Sequence, residues 1–174
     1  MILVAVGEFP QTLLERLSRR TRIPLGESHV NPDAALDAVR GQYDSTRLLA
    51  ELKVRYEGEV VGAAGCDLYI PVLTYVFGEA EMPGRAAIFS IHRLREEFYG
   101  LAPDEARLEE RAVRELWHEI GHLHGLAHCR DAACVMSASH SIEQVDAKTD
   151  QFCPACRAFV QWGRLQPAAD SQPA

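Results

Sequence analysis

Apolar residues run without a break over residues 2–6, and so short a run, β-branched at several positions, predicts a buried strand. After Pro10 the spacing changes: Leu13, Leu14 and Leu17 share one helical face and predict a helix to about residue 20. Residues 21–34 carry Pro24, Gly26, Asn31 and Pro32 and read as loop, with a short strand near 27–30. Leu48, Leu49 and Leu52 predict a helix over 46–54, capped by Asp44 or Ser45. Residues 60–66 read as a strand loosened by Gly62 and Gly65. Residues 72–78, rich in β-branched and aromatic side chains, predict another strand, and Pro83-Gly84 then signals a turn into a strand over 85–90. Those two strands are expected to form a hairpin. Asp104 is placed to cap a long helix over about 105–124, on which Leu108, Ala112, Glu115, Leu116 and Glu119 mix core and site faces. Past Gly125 the chain turns irregular, with a last helix expected over 154–162 and a frayed tail from 166 to 174. No repeat or linker interrupts this order, so the expectation is one compact α/β domain over 1–165, a small twisted mixed sheet packed with helices.

Composition narrows the class. The chain has 174 residues, 47% of them apolar, which suits one globular unit with a real core. Its formal charge is −7 and no Lys/Arg run breaks the acidic balance, so nucleic acid is not an expected partner. The acidity itself reads as solubility. The first residues lack the charged and long apolar segments of a secretory signal, and no apolar run is long enough to span a membrane, so a cytoplasmic protein is expected. In that reducing setting, clustered cysteines point to metal rather than disulfides.

The chemistry concentrates in His118-Glu119-Ile120-Gly121-His122-Leu123-His124-Gly125-Leu126-Ala127-His128. Residues four apart share a helix face, so His118 and His122 can converge on one ion. Imidazole suits zinc, and a catalytic zinc takes three protein ligands with one position open to water. Glu119 is then the natural general base for that water. Gly125 can end the helix at positive φ and let the chain return His128 as third ligand. The pattern matches the H-E-x-x-H-x-x-G-x-x-H signature of metzincin peptidases. The competing reading, histidines that merely line a helix, weakens once Gly125 and His128 fall in register. His124 lies off the ligand face.

Cys129 and Cys134, followed by Cys153 and Cys156, form two close pairs that suit a closed, tetrahedral and therefore structural zinc. Four metal-free thiols are the alternative. Cys66 stands apart and reads as a small buried residue. Since Cys129 follows His128 directly, the two metals must lie close, and the structural one would pin the loop bearing the third catalytic ligand.

At these residues the chain resembles the archaemetzincins, whose pattern H-E-x-x-H-x-x-G-x3-C-x4-C-x-M and later C-x-x-C becomes His118, Glu119, His122, Gly125, Cys129, Cys134, Met136, Cys153 and Cys156. The stretch from Met136 to Cys153 is one residue shorter than in the family's pattern. The resemblance extends upstream through Gln42-Tyr43-Asp44-Ser45, Asp67-Leu68-Tyr69 and Phe77-Gly78-Glu79-Ala80, although only the zinc segment is highly specific. It implies a metzincin-like fold with a Met-turn near 136, whose Met136 forms an apolar floor under the catalytic zinc. It also implies an edge strand that binds substrate, for which Leu73, Thr74, Tyr75, Val76, Phe77 and Gly78 are the candidates. Some metzincins carry a tyrosine two residues after that methionine; here the position is Ala138, so the oxyanion donor is open among His140, Tyr75 and Arg93.

The expected function is zinc-dependent hydrolysis of peptide bonds, with two Zn2+ per chain, one catalytic and one structural. Peptides or small proteins are the expected substrates and a monomer the expected state. Two rivals share the residues: a catalytically silent two-zinc module that binds peptides or proteins, and a four-cysteine zinc ribbon with incidental histidines.

Overall fold

A computed structural model describes residues 1–163; the expected frayed tail, and the last two residues of the expected domain, lie outside the described residues. Its centre is a four-stranded mixed sheet of β1 (Ile2–Val6), β4 (Val60–Ala64), β7 (Ala86–Ser90) and β6 (Gly78–Ala80), in the order β1-β4-β7-β6. The first three run parallel, and β6 closes one edge antiparallel to β7. A second, small sheet holds β2 (Leu36–Asp37), β3 (Gln42–Asp44) and β5 (Leu68–Tyr69).

Every residue of β4 and β7 is buried, which requires cover on both faces. Strand alternation divides the core accordingly. Leu3, Val61, Ala63, Ala87 and Phe89 face α1 (Gln11–Thr21) and α3 (Glu105–Leu123), where Leu13, Leu17, Leu116 and Ile120 meet them. Val4, Val6, Val60 and Ile88 face α2 (Ser45–Arg55), through Leu48 and Leu52. Each of these fully enclosed leucines contributes about 1.5–3 kcal/mol by leaving water. Asp44 and Asp104 cap α2 and α3 as expected, each accepting from the backbone N–H three residues on.

Two expectations are corrected. Residues 72–75 form turns rather than a strand, and only Gly78–Ala80 pairs with β7. Val76 makes a single bridge to Leu68. The apolar run misleads because its partners are not strands. The carbonyl of Thr74 accepts from the Gln42 side chain, Leu73 N–H closes a turn onto Ile70, and Val72 stays 83% exposed. The hairpin exists, but its first strand starts where the expected one ends. Near residues 27–30 there is only a bridge between Val6 and Val30. The two-residue strands and the short helix α4 (Ile142–Ala147) have too few residues for a period to show; α5 (Pro154–Gly163) is where the pattern placed it. Among the described residues no helix is long and apolar enough to cross a membrane.

Candidate metal centre and cleft

The end of α3 builds the site. Gly125 adopts φ 85°, its N–H bonds to the carbonyl of His122, and the Leu126 N–H reaches the carbonyl of Gly121. This is a Schellman stop, available because glycine bears no Cβ. It leaves the Leu126 carbonyl 2.7 Å from Nδ1 of His122, so the turn that ends the helix also orients a ring on its last turn. The Val135 carbonyl does the same for His118, 2.8 Å from its Nδ1. A carbonyl only accepts, so both Nδ1 atoms carry the proton and both Nε2 atoms present lone pairs.

Those two Nε2 atoms stand 3.1 Å apart. Two lone pairs cannot bond each other, and the arrangement calls for a cation between them. His128, returned by the turn, completes a trio whose ligand nitrogens all lie within 4.8 Å of one another. Burial lowers the proton affinity of all three rings, most strongly at His118, and so keeps them neutral and able to bind metal. His118 is buried and His128 exposed, so the site opens on one side. His124 caps the helix end and is not part of the trio.

The four cysteines also come together, their sulfurs within 4.8 Å of one another. All are free thiols, as is Cys66, whose burial pushes it up to about 12. Cys134 accepts from the Cys153 N–H, and Cys129 N–H bonds to the Met136 carbonyl. Cys134, Val135 and Met136 are thus consecutive: a sulfur of the cluster, the carbonyl that orients His118, and a side chain packed on α3. Met136 is fully buried, and a Cβ on Gly121 would sit 2.2 Å from its sulfur. The bare backbone of Gly121 is what lets the thioether lie against the helix between the two ligand histidines.

A cleft of about 460 Å3 opens over the trio. Thr74, Tyr75, Gly78 and Glu79 are among the residues that line it, with Ala138, Ser139 and His140. Glu119 lies in its wall, 3% exposed; burial first, then the charges of Glu115 and Glu79, push its carboxyl well above the usual range. Gly78 lies against it so closely that a Cβ would be 2.3 Å from Oε1 of Glu119. Gly78→Ala is therefore expected to displace this carboxylate, which a crystal structure of the variant checks; a Glu119 side chain left in place would contradict the close seat.

Of the residues left open for the oxyanion, the hydroxyl of Tyr75 already donates to the His140 carbonyl at 2.7 Å. Arg93 is engaged by both oxygens of Asp67 and stacks on Tyr75, outside the cleft lining. Their joint work is to hold the loop at 74–77 over the cleft, together with Gln42, which bonds both Asp67 and the Thr74 carbonyl. The cleft lining also includes Glu115, which could have been found from the sequence, since it precedes Glu119 by one helical turn; its enclosed ion-pair partner Lys148 has no motif to flag it.

The chain is similar to known proteins along most of its length. The model of Peptidase family M54 matches residues 17–161. An archaemetzincin from Methanocaldococcus jannaschii is 40% identical over 161 residues, covering 90% of this chain and 89% of the relative. The crystal structure of archaemetzincin from Methanopyrus kandleri superposes with TM-score 0.78 at 38% identity, over 95% of this chain and 96% of that one. The crystal structure of a zinc-dependent peptidase from Methanocorpusculum labreanum superposes with TM-score 0.80 at 29% identity, over 92% and 100% of the two chains.

Proposed function

The chain belongs to peptidase family M54, the archaemetzincins, and from that premise we propose that this zinc metallopeptidase uses Glu119 as its general base beside a zinc held by His118, His122 and His128. The observation that carries the reading is the pair of Nε2 lone pairs facing each other at 3.1 Å, with both Nδ1 protons committed to carbonyls.

When bound there, zinc supplies Lewis-acid polarisation of the scissile carbonyl and acidifies the attacking water. The protein does the rest. His118 and His122 are held in one tautomer by the Val135 and Leu126 carbonyls, so their ligand atoms need no rearrangement. Glu119 takes the proton of the attacking water on a carboxylate oxygen and passes it to the leaving amine. Met136 serves as the apolar floor below the site.

The substrate is an extended peptide. β6 is the edge of the main sheet and lines the cleft, so a peptide can add to it as a further strand. The substrate strand is therefore assigned to Gly78–Ala80, with Thr74 to Phe77 as an irregular wall. Cys129, Cys134, Cys153 and Cys156 hold a second, structural zinc. Metal analysis of the purified protein is expected to give two zinc ions per chain; one ion, unchanged when His118 and His122 are replaced by alanine, would overturn the catalytic centre.

A further inference from the structure

We infer that the buried ion pair between Glu115 and Lys148 is a positioning latch that keeps the third histidine ligand in register with the other two. The inference rests on the metal centre proposed above.

Lys148 is 2% exposed overall, its side chain fully enclosed, and its Nζ lies 2.8 Å from Oε1 of Glu115, whose side chain is 3% exposed. Enclosing two charges costs several kcal/mol per ion, and an apolar pair of similar volume is often as stable or more so. Stability alone therefore does not account for this lysine, and its location suggests what does. Glu115 stands one turn before Glu119 on α3 and lines the cleft. One turn earlier still, Arg111 makes a two-pronged contact with Asp146, at 2.7 and 2.6 Å. The same face of the helix thus grips residues 146 and 148 by two successive ion pairs.

Lys148 reaches further than Asp146. Its Nζ also donates to the carbonyl of Ser137, at 3.5 Å. Ser137 bridges in parallel to Cys129, the residue after His128, and the Cys129 N–H bonds to the Met136 carbonyl. A continuous path therefore runs from Glu115 on the catalytic helix, through Lys148, to Ser137 and Cys129. His118 and His122 sit on the helix at one end of that path, and His128 on the loop at the other. The neighbouring residues complete the seat: Thr149 N–H and Oγ1 bond to the Ala133 carbonyl, and Val135 N–H bonds to Gln151. With the latch removed, packing and the Val135 carbonyl on His118 still join the helix to the loop, but the contact that ties the helix to Ser137, beside Cys129, is lost.

The test uses Co2+, which reports the two sites separately: thiolate charge-transfer bands for the cysteines and weak visible bands for the histidines. Glu115→Leu with Lys148→Met removes both charges of the pair together. In competition with a chelator, this double variant is expected to bind Co2+ about 10–100-fold more weakly at the histidine site, with the cysteine site and the melting temperature held. Lys148→Met alone strands the Glu115 charge and is expected to lower the melting temperature as well. Equal histidine-site affinity in the double variant and the wild type would overturn the latch. So would a double variant that does not fold, since the pair would then be a stability element. A wild type that shows no histidine-site bands would instead overturn the metal centre on which the inference stands.

Discussion

Replacing Glu119 with glutamine is expected to leave both metals bound and to reduce peptide hydrolysis by at least about 100- to 10,000-fold, the contribution of a positioned general base. The carboxylate is not part of the histidine trio, so metal content has no reason to fall. Gln fills the same space beside Gly78, so the wall of the cleft keeps its shape. What disappears is the carboxylate that, in this account, carries a proton from water to amine. A variant with wild-type turnover would remove Glu119 from the mechanism. A variant that lost its zinc would show that the carboxylate serves the metal rather than the proton.

The second large effect concerns the cysteines. Changing Cys153 and Cys156 together to serine is expected to lower the melting temperature markedly and to weaken the histidine site as well. A structural zinc binds with an apparent free energy of about 10–16 kcal/mol in isolated zinc fingers, comparable to the whole stability of a domain. This chain has an independent core around its main sheet, so the loss is expected to be local, loosening the loop from Leu126 to Cys156. That loop holds the Val135 carbonyl on His118 and the Met136 sulfur on Gly121. Histidine-site metal affinity is therefore expected to fall by about 10–100-fold with the melting temperature. Thermal melts and metal analysis check both. A variant with wild-type melting temperature and full metal at the histidines would separate the two sites and contradict the coupling.

The site was more legible in the sequence than the sheet around it. Histidines four apart on a helix and a glycine at its end are local facts, and the spacing alone brings His118, His122 and His128 together. The four cysteines were legible for the same reason, since thiols in two close pairs have few other uses. The long elements followed from their periods: β1, α1, α2, β4, β7 and α3 all lie where the apolar pattern put them. The stretch at 72–78 failed because composition alone mimics a strand. Its backbone is held by Gln42 and its aromatic rings by Arg93 and the wall of the cleft, and such partners lie far off in sequence. Lys148 was invisible for a related reason: a lone lysine in a polar stretch reads as surface, and only the fold encloses it against Glu115. Gly78 reads in the sequence as the end of a strand and Gly121 as a position inside the histidine motif; the close approach of Glu119 and Met136 gives them a further purpose.

The most direct test of the peptidase account is a digest of a mixed peptide library read by mass spectrometry, with zinc-loaded wild type beside Glu119→Gln. The account predicts new peptide ends with the wild type alone, whose sequences define the preference of the cleft. No cleavage by the wild type, with zinc confirmed at both sites, would contradict it and would point to a two-zinc module that binds peptides without cutting them.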